Sequence, residues 1–430
     1  MFQNFRPFHW LLKILLIILP FHVLLSVFFE FKIGIPGFGI YKEALVWLLG
    51  LALIFEFYRA KSWPKFDMLD CLIGAYIGYL LLISIISGIG LKAIVFGGRY
   101  DFEFFLVMLF VKHGRPFLKD KLIEYLRLFA YSTGIAIFLG MLVRFVFGET
   151  ILVHFGFSPR LSVWEQGGSI PIYHGVEWAS VRRFQGIFDG PNQTAYFLLG
   201  YLGIILHIWY TKKDWRWLLY TCAFIVFWLI FMTYTRSALI GLLGGWLLVI
   251  WLNVKTILAK HWRQALIFLG IIALFSGVIY LKYGDNVRAI VLRWGSSKWH
   301  YDRMIDGIHE FEQKPLGHGL AESGPAYRYA HDITNIKEDS YIPESWYIQQ
   351  LVEGGIIWTL LFLAILGTIA KQLYKKSIFI FWSFVSILII NFFLHSFEAS
   401  YVSILLFAVI GLLLAKKETK KTACSQFSII

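Results

Sequence analysis

Apolar runs approaching twenty residues recur along almost the whole chain, and this pattern restricts the fold more than any motif. A helix crossing a hydrocarbon layer of ~30 Å needs ~20 mostly apolar residues, and it must bond its own backbone because no water is available there. Twelve runs approach this requirement, at roughly 10–29, 43–58, 69–88, 102–112, 122–147, 191–210, 217–233, 237–253, 264–283, 345–370, 377–395 and 401–415. The fourth is short. Of the 430 residues, 58% are hydrophobic and 16% charged, against ~25% charged in soluble domains. The expected fold is therefore all-α, a polytopic integral membrane protein with about twelve transmembrane helices. The first run, "WLLKILLIILPFHVLLSVFF", is long enough to span and lacks a small-residue cleavage site, so it reads as a helix of the bundle and not as a cleaved leader.

A net charge of +13 would point to nucleic acid in a soluble chain. In a membrane chain the position of the charge matters more, and nucleic acid is not an expected partner. The connections "YRAKSWPK", "KHGRPFLKDK", "TKKDWR", "KTILAKHWR", "KQLYKK" and the tail "KKETKK" are short and dense in Lys and Arg. The positive-inside rule assigns them, and both termini, to the cytoplasm. The alternate connections then face outward: 30–42, 89–101, 148–190, the turn at Tyr234–Arg236, 284–344 and a link near 396–400. Three parts follow: helices over 1–283, a large periplasmic loop or lobe over 284–344 between spans 9 and 10, and helices with a cytoplasmic tail over 345–430. Within the lobe, "SSKWHYDRMIDGIHEFEQKP" has helical periodicity, with Trp299, Met304, Ile305, Ile308 and Phe311 on one side and Pro315 as terminator. "LGHGLAESG" then reads as a flexible glycine-rich turn.

Ionisable groups inside the runs are few: Lys13, Glu56, Asp101, Glu103 and Glu398 lie near ends. An ion-coupled transporter usually carries such groups along a path. A lipid or polysaccharide transporter with an arginine-lined outer vestibule is thus the alternative function, and charge depth discriminates against it. The outward segments instead collect Arg182, Arg183, Arg236, Arg288, Arg293, Arg303 and Arg328. A guanidinium is a planar fork of donors that matches phosphate oxygens, so arginines meeting at the outer surface would hold an anionic head group such as a lipid diphosphate. Local salt bridges with Glu149, Glu165, Glu177, Asp189 or Asp302 are the plainer alternative. Arg236 poses the question most sharply, because the polar gap between its two flanking apolar runs is only a few residues wide. Metal ligation is not expected; Glu338 and Asp339 are adjacent loop acids of the kind that is usually solvated. Three cysteines show neither metal spacing nor a disulfide framework. There is no phosphate-binding glycine loop, no dinucleotide fingerprint, and no glycine elbow around Ser345.

Four pieces resemble one family in its own order. "RFQG" with "FDGPNQTAY" is similar to the Arg-x-x-Gly…Asn…Ala pattern of the O-antigen ligase and O-antigen polymerase superfamily. "TYTRSALIG" resembles its Thr-x-Ser-Arg-Gly-Ala stretch, with Thr235 in the Ser position and Ser237 in the Gly position. "DRMIDGIHEFEQKPLGHGLAESG" resembles its Arg…Pro-Leu-Gly-x-Gly segment, and "ESWYIQQLVEGGIIW" its closing His-Asn-x-Tyr-Leu-x-x-Leu-x-Glu-x-Gly pattern. The four span about residues 180–360; the first 150 residues match only as hydrophobic helices. The resemblance implies a GT-C-like membrane glycosyltransferase that moves a glycan from undecaprenyl diphosphate to an acceptor glycan or lipid A core at the periplasmic face of the bacterial inner membrane, by inversion and without cofactor or metal. Polymerase and ligase remain open.

Carried over by position, the diphosphate-holding arginines are Arg183 and Arg236, and the histidine of the last motif is replaced by Glu344. A carboxylate can also accept a proton. Arg182, Arg288, Arg303, Tyr341 and Tyr347 are further candidates for sugar and phosphate contacts. Asn192 and Gln193 would brace the Arg183 loop, and His331 and His318 are the reserve bases. The Gly317–Gly319 turn would let the lobe move.

Overall fold

The computed structural model describes residues 6–118, 121–160, 168–172, 175–176, 179–211, 216–253, 294–331 and 342–415. Apart from short 3-10 helices in the connections, fourteen helices follow among these residues. They are α1 (Pro7–Ile33), α2 (Phe38–Ala60), α3 (Met68–Ile86), α4 (Leu91–Asp101), α5 (Glu103–Gly114), α6 (Leu122–Phe147), α7 (Pro191–Thr211), α8 (Arg216–Met232), α9 (Arg236–Asn253), α10 (Trp294–Gln313), α11 (Gly324–Ala330), α12 (Trp346–Lys376), α13 (Ile378–Ile390) and α14 (Ser400–Leu414). Seven of them are long and apolar enough to cross a membrane: α1, α2, α3, α6, α7, α9 and α12. The shorter apolar helices α8, α13 and α14 complete ten of the twelve expected spans. The expected fourth falls on α5, twelve residues long; the expected ninth, 264–283, lies outside the described residues. One hairpin departs from the all-α expectation: β1 (Gly175–Val176) pairs antiparallel with β2 (Ala179–Arg182) in the connection before α7.

The surface of the bundle fits a bilayer. On α2, Trp47, Leu51, Ile54 and Tyr58 follow one helical face and are all more than half exposed. In water each large apolar side chain left exposed forfeits ~1.5–3 kcal/mol of burial; facing lipid it forfeits nothing. This is a multi-pass membrane protein. Inside the bundle, helices approach through small residues, since lipid supplies no hydrophobic force to drive them together. All of α14 is buried and it packs on α5, where a Cβ on Gly411 would stand 2.5 Å from the Met108 carbonyl. The α7–α13 contact is similar: a Cβ on Gly203 would meet Ser383 Cβ at 2.5 Å.

Charges are sorted to the two ends. At one end Lys112 bonds Asp67 and Asp70 at 2.8 and 2.6 Å, joining the capped start of α3 to the end of α5. At the other end, called here the upper end, lie the start of α2, the α8–α9 turn, the start of α12 and the α13–α14 link. Lys42 is fully buried there and meets Glu43 at 2.6 Å, and Arg99 reaches the same carboxylate.

The upper end is shaped by a break in α12. Gly355 has φ 68° and ψ −169°, which interrupts the helix. The segment after α10 docks into the gap: Ile356 N donates to Pro315 O (3.1 Å), His318 N to Val352 O (2.9 Å) and Gly319 N to Glu353 O (2.8 Å). The expected flexible turn is therefore pinned by backbone bonds. Its glycines serve close approach: Gly317 has φ 106° and an added Cβ would lie 2.5 Å from Glu353 O, while one on Gly355 would collide with Pro315 O. Gly355→Ala should accordingly destabilise the folded protein by ~3 kcal/mol or more, from strain and collision together. Gly367→Ala, in the same helix with nothing near its Cβ position, should be neutral or stabilise by ~0.5–1 kcal/mol. Thermal unfolding in detergent separates the two; equal midpoints would refute the docking.

Candidate functional site

The α8–α9 turn is built without glycine or proline. Thr233 folds its hydroxyl back to Ile230 O (2.7 Å), Tyr234 N bonds Phe231 O (2.9 Å), and Tyr234 takes φ 50°. A left-handed tyrosine is unfavourable by ~1–2 kcal/mol, and the threonine bonds on either side hold it. The result is a three-residue reversal, Thr233 to Thr235, that delivers Arg236 as the first residue of α9.

Arg183 locks onto this turn. Its Nε donates to Thr233 O (2.7 Å), and its Nη2 donates to Asn192 Oδ1 (2.7 Å) and Thr235 Oγ1 (2.9 Å). Phe184 N bonds Met232 O (2.8 Å) beside it. The "RFQG" and "TYTR" motifs, fifty residues apart, thus form one structure, with Asn192 at the start of α7 as the brace. Asp189, in the same approach to α7, accepts from the Tyr401 hydroxyl at 2.7 Å. Burial pushes its carboxyl from 3.8 up to about 6, against the Tyr401 bond. The unfolded chain releases that proton at lower pH than the folded one, so stability falls as pH rises from 3.8 to about 6 and stays lowered above it. Asp189→Asn should flatten this fall and leave the unfolding midpoint at pH 7.5 equal to or above wild type; a lower midpoint there would refute it.

Arg236 Nη1 donates to Ser297 Oγ (2.9 Å) on α10. One turn further along α10, His300 Nδ1 lies 2.9 Å from Glu344 Oε2. Residues three apart on a helix have Cβ atoms ~5–6 Å from each other, so α10 carries Arg236 and Glu344 on adjacent rungs. Glu344 immediately precedes Ser345, which caps α12, and has φ 54°. Four described non-glycine residues adopt positive φ, and Tyr234 and Glu344 are two of them. Such strain of ~1–3 kcal/mol persists where the surroundings enforce it and gathers at functional sites. Around Glu344, Trp346 N bonds Asn391 O (3.0 Å), and Asn391 Oδ1 accepts from Ser396 N and Oγ (2.9 and 2.6 Å). His395 in this link feels both Glu344 and His300; burial brings it down to about 4, so it is neutral at pH 7. Glu398 is pushed well above the usual carboxylate range by burial. Tyr196 on α7 lies within electrostatic reach of Arg183, Glu344 and Asp189. The two arginine segments and Glu344 therefore meet at one place.

The other sequence candidates divide. Arg182 takes the local-pair alternative: it reaches Glu149 Oε2 at 3.5 Å, and Arg144 pairs with the same carboxylate at 3.1 Å. Arg303 lies 5.5 Å over the ring of Trp299, on the outward side of α10. Tyr347 donates to Leu388 O (2.9 Å), joining α12 to α13, and its ring packs at a tilt against Phe392. His318 Nε2 lies 3.0 Å from Glu310 O, and His331 pairs with Glu322 at 3.3 Å against the ring of Tyr327. Arg288, Tyr341, Glu338 and Asp339 lie outside the described residues. His300 was missed by sequence reasoning. Its one signal was its spacing of three from Ser297 on a helix otherwise read for its apolar face.

Residues 221–363 match the family model described as O-antigen ligase. The matched stretch runs from α8 through the Arg236 turn and α10 into α12, and so contains Arg236, Ser297, His300 and Glu344; Arg183 precedes it. No curated protein matches the chain.

Proposed function

Taking the chain as a member of the O-antigen ligase and polymerase superfamily, on its match over residues 221–363, we propose that it transfers a glycan from undecaprenyl diphosphate to an acceptor hydroxyl at the periplasmic membrane face. One observation carries this reading: α10 joins Arg236, through Ser297, to the Glu344 carboxylate beside His300, one turn apart. A glycosyl diphosphate needs a cation where the diphosphate departs and a proton acceptor where the hydroxyl attacks, and this geometry offers both. Arg236 stands at the N-terminus of α9, where the helix dipole already favours an anion. Arg183, with its plane fixed by three bonds, shapes the same turn. Charge developing on the leaving diphosphate is met by preorganised cations, so no divalent metal is required. The acceptor oxygen attacks the anomeric carbon from the opposite face, with inversion, and its proton goes to the Glu344 side.

Purified protein in lipid discs, given a polyprenyl-diphosphate oligosaccharide with and without lipid A core, tests the reading. Lengthening of the carrier-linked glycan assigns a polymerase and transfer to core a ligase; absence of both overturns the proposal. Activity should survive EDTA, and its loss with rescue by magnesium would refute the metal-free chemistry. For orientation, reporter fusions after Lys213 and after Pro315 should fall on opposite sides of the membrane; the same side for both would detach the site from the periplasm.

A further inference from the structure

The family pattern places a histidine where this chain has Glu344, yet the folded chain brings a histidine to that carboxylate from another helix. We propose that His300 is the group that accepts the proton from the attacking hydroxyl, with Glu344 behind it as the orienting carboxylate. The inference rests on the glycan-transfer reading and changes its base.

Three features of the contact support the assignment. His300 Nδ1 is buried and lies 2.9 Å from Glu344 Oε2, at ion-pair distance though not in hydrogen-bond alignment. The imidazole side chain is 30% exposed while that of Glu344 is 12% exposed. With Nδ1 turned inward, the accessible edge of the ring is the one bearing Nε2. The carboxylate is thus the deeper partner and the imidazole the one a substrate meets. This is the order of a carboxylate–imidazole pair in which the acid lies behind the ring and stabilises the imidazolium that forms. Finally, Ser297 on the preceding turn of α10 holds Arg236, so the imidazole stands one helical turn from the cation assigned to the diphosphate. Among the described residues, Glu344 from the start of α12 and His395 from the α13–α14 link interact with the ring, and Arg236 from α9 is held one turn away; His395 is neutral at pH 7, burial having brought it down to about 4.

In the step, the acceptor oxygen bonds to the anomeric carbon as the bond from that carbon to the diphosphate oxygen breaks. The diphosphate leaves with the electron pair. The hydroxyl proton passes to His300 Nε2, and the imidazolium is balanced by Glu344 until the proton is released to solvent. The reaction consumes no other reagent.

Transfer by His300→Gln, Glu344→Gln and the double variant is compared with wild type, together with binding of the polyprenyl-diphosphate oligosaccharide. The expected result is a loss of ~10²–10⁴-fold in turnover for His300→Gln, a comparable loss for Glu344→Gln, and no further loss in the double variant, because the two groups act as a unit. Donor binding should change little in all three. If His300→Gln is poorly folded, His300→Ala with added imidazole supplies the measurement: partial recovery supports the proposal and none overturns it. His300→Gln within about threefold of wild type, with Glu344→Gln still impaired, overturns the proposal and leaves Glu344 as the base. Absence of transfer by wild type itself overturns the underlying reading instead.

Discussion

Arg236→Ala should weaken donor binding and lower transfer by about 10²–10³-fold, the loss seen when one preorganised donor to a developing anion is removed. The expectation follows from placement. Arg236 is the first residue of α9, its neighbour Thr235 is bonded to Arg183, and its own guanidinium is bonded to Ser297. It is half-buried, so a diphosphate meeting it is partly shielded from water, where a charge pair is worth more than in bulk. Arg236→Lys should recover little, since a point charge cannot reproduce the planar fork. Ser297→Ala keeps the charge and removes only the tether, so its loss should be smaller than that of Arg236→Ala. Steady-state transfer and donor binding, measured on variants with wild-type unfolding midpoints, decide the matter. Normal donor affinity in Arg236→Ala would remove the diphosphate role and leave Arg236 as a brace for α10.

The helices were legible because their cause is local. A run such as Pro191–Thr211 is apolar along its length, and no tertiary context is needed to read it. Arg183 and Arg236 were legible for a related reason: each lies close to the start of an apolar run, and a cation there is conspicuous. Their union was not legible, because it depends on Thr233 and Thr235 bonding across fifty residues and on Tyr234 taking a conformation that sequence normally signals with glycine. The glycines of "LGHG" were misread for the complementary reason. Glycine permits both flexibility and close backbone approach, and only the break at Gly355 shows that Gly317 and Gly319 serve the second. Arg182 had the charge of its neighbour Arg183 but not its surroundings; Glu149 takes it. His300 was invisible because a histidine within a mixed polar helix carries no mark until Glu344 arrives beside it.

Glu344→Gln should lower turnover by ~10²–10⁴-fold, about 2.7–5.5 kcal/mol of transition-state stabilisation at 1.36 kcal/mol per decade, with donor binding largely kept. The amide preserves the shape of the side chain and its place before the cap of α12, so the change falls on charge alone. A structural carboxylate would behave differently. An acid at a helix N-terminus contributes only ~0.3–1 kcal/mol through the macrodipole, and its loss would appear as a small fall in stability with transfer intact. The backbone supplies a second readout. Glu344 holds φ 54°, which glycine adopts without strain. Glu344→Gly should therefore be at least as stable as Glu344→Gln while being equally impaired in transfer, separating the role of the carboxylate from the strain that presents it. Near-normal turnover in a stable Glu344→Gln would remove the carboxylate from the chemistry. His300 would then have to accept the proton without the carboxylate; if His300→Gln also kept its turnover, the search would move to His331 and His318, of which His318 is the more constrained, its backbone bonded to Val352 O and its ring to Glu310 O.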